Sequence, residues 1–362
     1  MSADEKKGLM ERVTEPVVPK EVASKISLLE QQFIRAEVEQ LRQSILSFRP
    51  LFEKRAEIIT HPDVQSNFWV RVLSNAPADI DEHITSSDAA ILGSALKNLT
   101  VERFEINEKG EGEPRSIRFT FEFHTDEGAN PFFENDKLVK EFYWRKEITT
   151  TPSGKKRTWD GLVSEPVRIN WKKDMDVTKG LLDAACDLAE AEKKKKKGGD
   201  RKELPEFEKL VAKIAAVEAA DMEADEEEEF DQSTGTSFFN FFGYRGSDVT
   251  AEQSAAATKE ESEKFDKALK GESAGDDDED EDEEDDDDVD DDFDMIEIFP
   301  DGNELAISLA EDLWPNAMKY YVQSFEETPD FDEDELDEEE LEAEFDDDEE
   351  EEDSRPRKKS KV

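Results

Sequence analysis

The sequence predicts an α+β protein: a long kinked helix, then a four-stranded antiparallel sheet covered by helices, then a disordered acidic C-terminal region. Three observations predict it. Residues 19–60 form one glycine-free run with apolar residues at helical spacing. Past residue 98 the apolar period drops to two, most clearly at Ile117, Phe119, Phe121 and Phe123. The charge is also unevenly spread. Residues 272–353 hold 44 acidic residues and one basic residue, Lys319, and so carry −43 of the chain's net −51.

The long helix is expected from Pro19 to Thr60, closed by His61-Pro62, because a residue before proline avoids helical geometry. Val22, Ile26, Leu29 and Phe33 step by four and three. Ile34, Val38, Leu41, Ile45, Phe48, Phe52 and Ile59 continue the rhythm after a one-residue slip, with Arg55 in the remaining slot. At 1.5 Å per residue the helix is roughly 60 Å long. A stripe of that length lies against its own domain or against a second copy. The sustained spacing favours an antiparallel homodimer through Ile26, Leu29, Phe33, Val38, Leu41 and Ile45. Pro50 removes one backbone donor inside the stripe and predicts a kink near Phe48 to Pro50.

A short helix is expected over 62–73 and another from a Ser86-Ser87-Asp88 cap to Leu96. Strands are expected at Leu99–Ile106, Ile117–Phe123, Leu138–Ile148 and Val167–Trp171, with a turn at Ser153-Gly154. Two amphipathic helices follow, around Leu181–Leu188 and Leu204–Met222, flanking a basic hinge at Lys193 to Gly199. Phe238, Phe239, Phe241 and Phe242 are dense enough to belong in a core. Residues 247–293 read as a linker that becomes the uninterrupted acidic run Asp276 to Asp288. The island Met295 to Phe325 is too apolar for a tail and should fold back as one or two short helices broken at Pro315.

The expected divisions are a disordered N-terminus (1–18), the dimerisation helix (19–60) and the α+β domain (61–246, with a helical insert at 193–229). An acidic linker or insertion (247–294), the returning segment (295–325), an acidic tail (326–353) and a basic terminus (354–362) complete the chain. The first 271 residues carry only −13, and the acid-rich remainder has too few apolar residues to offset its chain entropy. A single cysteine, Cys186, excludes an intramolecular disulfide and fits a reducing compartment. With no apolar run of signal-peptide or membrane-span length, the expectation is a soluble intracellular protein with no membrane contact.

Several short motifs occur in an order that resembles one known family. They are Phe68-Trp69-Val70, Asn130-Pro131-Phe132-Phe133-Glu134-Asn135, Lys140-Glu141-Phe142, Ser237-Phe238-Phe239, Asp312-Leu313-Trp314-Pro315-Asn316 and Tyr320-Tyr321. They resemble the landmarks of the nucleosome assembly protein (NAP) family, and its SET (template-activating factor I) branch most of all. The resemblance spans roughly residues 20–325. It implies a histone chaperone: a homodimer joined by the long kinked helix, with "earmuff" α+β domains and an acidic tail. The helical insert around Lys193 to Met222 is longer than that branch leads one to expect, and the acidic insertion before Trp314 is unusual for it.

The charge pattern reaches a similar place independently. An extended acidic chain carries one charge per roughly 3.3–3.6 Å, and one DNA strand carries one per about 3.4 Å. Such a segment competes with DNA for lysine- and arginine-rich partners, histones or their tails. Together with the resemblance this gives the expectation of a chaperone of core histones, with the H3–H4 pair preferred. A merely solubilising tail is the alternative. The candidate histone-binding residues are Asp225, Glu226, Glu227, Glu228 and Glu229, then Glu311 and Asp312, and Asp276, Asp277 and Asp278 in the run. SET-like proteins imply a second class of role, as a phosphatase inhibitor or as a partner or inhibitor of a histone acetyltransferase. Catalysis finds little support, and no enzyme is expected: His61, His83 and His124 are scattered, no Gly-rich phosphate loop occurs, and Cys186 lies on the apolar face of a helix. No cofactor, metal or sequence-specific DNA binding is expected. Arg355, Arg357, Lys358, Lys359 and Lys361 form a basic cluster of nuclear-localisation type, so the expected address is the nucleus, with the cytoplasm second.

Overall fold

The computed structural model of the chain describes residues 19–150, 156–195, 201–227, 236–271 and 296–326. Helix α1 spans Lys20–Ile59 and continues through Pro50. Pro19 stands at its N-cap, and Thr60 closes it, with the Thr60 amide donating to Ala56 O. The segment expected as one short helix is two, α2 (Pro62–Gln65) and α3 (Phe68–Leu73), and a further turn, α4, spans Ala78–Asp81. Helix α5 covers Ser86–Ala95. Its cap is Thr85, one residue before the expected serines, and Asp88 completes a reciprocal capping box.

Strands β1 (Leu96–Glu102), β2 (Ile117–Phe123), β3 (Lys137–Thr150) and β4 (Lys156–Ser164) form an antiparallel meander in that order. The alternation in β2 works as expected: Ile117, Phe119, Phe121 and Phe123 are buried, and Arg118, Thr120 and Glu122 lie between them, half-buried. Two strand expectations need correction. β1 begins three residues early and stops at Glu102, because Arg103 to Ile106 close a turn in which the Ile106 amide donates to Arg103 O. The fourth strand is Lys156–Ser164, not Val167–Trp171. In β4 only Leu162 and Ser164 are buried, so this edge strand has no apolar alternation to read. Val167 to Trp171 is extended but pairs through one isolated bridge, Trp171 with Phe133, and Pro166 before it offers no amide. The expected Ser153-Gly154 turn lies outside the described residues.

Helix α6 (Leu181–Lys194) packs against α7 (Pro205–Glu227), which runs further than the expected Met222. The first two lysines of the expected hinge belong to α6. Residues 247–269 are not linker. Helix α8 (Ala251–Leu269) opens on a Thr250–Gln253 capping box and lies along β3. It is held by polar contacts that hydropathy does not show. Ser254 Oγ accepts from the Lys146 amide, Lys146 pairs with Glu261 at 2.7 Å, and Lys156 pairs with Glu260 at 2.7 Å. The island returns as expected, as α9 (Gly302–Ser308), a π-turn (Leu309–Leu313) and α10 (Ala317–Gln323), interrupted at Pro315.

The core lies between the inner face of the sheet and the aromatic segment Phe238–Gly243, whose four phenylalanines are fully buried. Edge-to-face contacts join them to the strands: Phe119 to Phe241 at 5.7 Å and Phe121 to Phe242 at 5.3 Å. Ile296, Ile298 and Phe299 close this core from the island side. A Cβ at Gly243 would stand 2.3 Å from Ile298 Cδ1, so glycine there lets the two segments touch.

Candidate functional site

Helix α1 shows two different faces. Val22, Ile26, Leu29, Phe33, Phe48, Leu51 and Ile58 are each between 45% and 60% exposed, although all are apolar. They fall on one side of the helix, in two blocks separated by Gln40, Ser44 and Ser47. The other side faces the chain's own body. Arg42 donates to Gly112 O, Arg49 to Ile106 O, Phe52 meets Trp314, and Ile59 is buried. The one-residue slip at Phe33 and Ile34 marks the passage from the first face to the second, a rotation of about 100°. Of the expected dimer residues, Ile26, Leu29 and Phe33 are exposed on the open stripe. Val38, Leu41 and Ile45 are half-buried on the side turned to the body.

Arg55 interrupts the apolar rhythm for a structural reason. Its guanidinium lies over the rings of Phe52 (4.7 Å) and Trp314 (4.1 Å) and donates to Trp314 O and Pro315 O. Burial pushes its pKa down to about 10, still well above neutrality. Trp314 also donates from Nε1 to Leu99 O at 3.3 Å. Arg55 thus fastens the long helix to the returning island, and Trp314 fastens the island to the sheet.

The acidic candidates fare unequally. Glu311 pairs with Arg103 at 2.9 Å while more than half of its side chain stays exposed. Asp312 is engaged within its own segment. It accepts from Tyr320 Oη at 3.0 Å and from Asn316 Nδ2 at 2.7 Å. Burial, then the Asp312 carboxylate, raises the Tyr320 hydroxyl to about 12. Asp225, Glu226 and Glu227 lie on the backbone of the last turn of α7. Glu228, Glu229, Asp276, Asp277, Asp278 and the basic cluster Arg355, Arg357, Lys358, Lys359 and Lys361 lie outside the described residues. A further acidic group was not singled out from sequence. Asp183, Asp187 and Glu190 on α6 converge on Arg168 at 2.7, 2.6 and 3.4 Å, leaving two carboxylates in excess of one cation. Their helical spacing of four and three was the available signal.

Inside the body, two ionisable groups are structural. Lys140 is fully buried, and its Nζ donates to Glu165 O, Phe242 O and Tyr244 O. Burial pushes its pKa down to about 7. The three acceptors match the three donors of an ammonium, whereas a neutral amine offers only two, so the geometry holds the charged form. Cys186 is buried, and burial raises its thiol to about 11, which leaves it a poor nucleophile. Asp88 is also fully buried and does more than cap α5. It accepts from Ser237 Oγ at 2.5 Å and from the Phe238 amide at 2.8 Å, tying that cap to the aromatic segment. The histidines stand apart: His61 caps α2, and His83 meets the Phe299 ring at a tilt, 5.4 Å between centroids. Among the described residues no group of three His, Cys, Asp or Glu is placed to hold a metal. No helix there is long and apolar enough to cross a membrane.

A long helix with an apolar open face, a sheet-and-helix body fastened to it, and a large excess of carboxylates define a protein built around surfaces. The family model for nucleosome assembly proteins matches residues 62–324, and the chain belongs to the NAP family. It is 38% identical over 144 residues to a putative nucleosome assembly protein of Schizosaccharomyces pombe, covering 40% of this chain and 54% of that one. It is 31% identical over 134 residues to Protein SET of Drosophila melanogaster, covering 37% of this chain and 42% of that one. The chain spans about half the length of the curated relatives it matches. Among solved structures, the crystal structure of Ccp1 aligns over 85% of this chain and 97% of its own, with 26% identity and a TM-score of 0.47. Nucleosome assembly protein S of Plasmodium falciparum aligns over 43% of this chain and 74% of its own, with 26% identity and a TM-score of 0.27.

Proposed function

We propose that this protein is a nuclear histone chaperone that works as a homodimer. It binds core histones, the H3–H4 pair in preference, shields the surfaces that would meet DNA, and hands them to DNA. In doing so it promotes nucleosome assembly and chromatin remodelling. The observation that carries this reading is a charge of −43 within residues 272–353 of a NAP-family chain. The mechanism is equilibrium competition. Carboxylates spaced like DNA phosphates hold free histone at low concentration and suppress kinetically trapped histone–DNA aggregates.

The open stripe of α1 supports the dimer. Val22 and Ile58 each lie 18 residues from residue 40, and Leu29 and Leu51 each lie 11 from it. Phe33 and Phe48 lie seven and eight away. An antiparallel pair centred on Gln40 sets the first apolar block of each helix against the second block of the other. It also carries the two bodies to opposite ends. Apolar residues in two such blocks remain in water unless a partner covers them.

The decisive experiment titrates the full chain with core histones at several salt concentrations and follows with a nucleosome assembly assay. Saturable binding that weakens with salt, together with faster assembly, is the expected result. No binding at near-physiological salt would overturn the reading.

A further inference from the structure

The last turn of α10 carries a contact that charge balance leaves open. Ser324 closes this helix, and its hydroxyl donates to Tyr321 O at 2.7 Å. Arg71, on α3, reaches across to it: Nη1 lies 3.3 Å from Ser324 O and 3.4 Å from Ser324 Oγ. The same guanidinium stands over the Phe325 ring at 4.0 Å. Among the described residues no carboxylate lies within ion-pair distance of Arg71, in a chain with 98 acidic residues. A half-buried cation with one hydroxyl and one carbonyl in reach can take up an anion at that hydroxyl. The sequence after the hydroxyl is Phe325-Glu326-Glu327, which places carboxylates two and three residues downstream. Acid-directed serine/threonine kinases read that arrangement.

We propose that Ser324 is a phosphorylation site and that Arg71 holds its phosphate. The transfer uses ATP. Ser324 Oγ forms a bond to the γ-phosphorus, the bond from that phosphorus to the β–γ bridging oxygen breaks, and ADP leaves. The hydroxyl proton passes to the kinase's base. The product adds about two negative charges and three strong acceptors. Its oxygens replace the Ser324 hydroxyl and carbonyl as partners of Arg71, giving charge-assisted bonds in place of neutral ones. Without Arg71, the same phosphate would stand at a helix C-terminus beside Glu326, where negative charge opposes the helix dipole and frays the turn. Ser324 lies at the junction between the packed island and the acidic tail. Arg71 therefore decides whether phosphorylation leaves the root of the tail docked on α3 or loosens it.

The test uses the full chain, ATP and a purified acid-directed serine/threonine kinase, with phosphopeptides mapped by mass spectrometry. Ser273, followed three residues on by Asp276, serves as an internal acceptor showing that the kinase is active. The expected result is phosphate on Ser324 in the wild type. Hydrogen exchange of residues 317–323 is then compared between kinase-treated wild type and Arg71→Gln, each against its Ser324→Ala counterpart. Phosphorylation should leave exchange unchanged or slower in the wild type and make it several-fold faster in Arg71→Gln. Modified Ser273 with unmodified Ser324, or equal effects of the phosphate in the two backgrounds, would overturn the proposal.

Discussion

Lys140 places the strictest single demand on the core. Its ammonium closes three carbonyls from two separate segments, Glu165 on one side and Phe242 and Tyr244 on the other. Lys140→Met keeps much of the volume but leaves those acceptors without a donor, each at about 1–3 kcal/mol. The expected loss is about 3 kcal/mol or more, read as a lower denaturation midpoint in urea at unchanged slope. A variant as stable as wild type would mean that the carbonyls find other donors. Cys186 gives a pH-dependent counterpart. Its thiol is raised from 9.0 to about 11 in the fold. The unfolded thiol therefore ionises first, and the contribution is complete below pH 9 and lost as pH climbs toward 11. Cys186→Ala removes this dependence, while any cavity it leaves is independent of pH. The stability gap between wild type and variant should shrink by about 2 kcal/mol between pH 8 and pH 11. A constant gap across that range would exclude the thiol as the source.

At the scale of elements, α1 has an open apolar face and a face packed on the body, and the proposed dimer uses the first. The open stripe supplies Leu29 and Leu51, and the inward side supplies Leu41 and Ile45. Leu29→Lys with Leu51→Lys should give a folded monomer by sedimentation, with thermal stability close to a monomeric baseline, since neither residue is buried in the single chain. Leu41→Lys with Ile45→Lys should lower the melting temperature of the body itself. Retention of a dimer by the first pair would move the interface off the stripe. How much of this was legible in sequence differs from element to element. The extent of α1, the alternation of β2 and the burial of Phe238 to Phe242 were legible because each rests on apolar periodicity or density. The change of face in α1 appeared only as a slip in rhythm, since a one-residue rotation and a stutter produce the same spacing. β4 and α8 were missed because register, capping and ion pairs hold them, and none of these leaves an apolar pattern. Arg55 appeared as a gap in a stripe, although it is the group that ties helix to island. Of the acidic candidates, Glu311 and Asp312 have partners that spacing could not reveal, because Arg103 is distant in sequence and Tyr320 lies two turns on.

For the whole molecule, the question is how labour divides between the packed body and the acid-rich tail. The tail beyond Phe325 holds 21 acidic residues, and the run before Met295 holds 18. Charge of that kind attracts any basic polymer and falls away with salt as counterions screen it. The body is less charged but pre-organised. Its acidic groups include the excess carboxylates around Arg168 and the exposed Glu311, fixed on helices and a packed turn. Groups already in place lose little entropy on binding, so each of their contacts counts for more. Truncation after Phe325 should therefore leave measurable histone binding at near-physiological salt. Affinity should fall, and the plot of log affinity against log salt should flatten. Asp187→Lys with Glu190→Lys in the truncated protein should weaken binding further, by roughly tenfold if the pair contributes about 1.4 kcal/mol. Titration of all three proteins at three or more salt concentrations separates the terms. Complete loss on truncation would make the body a scaffold for an acidic chain, and unchanged affinity would place the whole receptor within the body and the run before Met295.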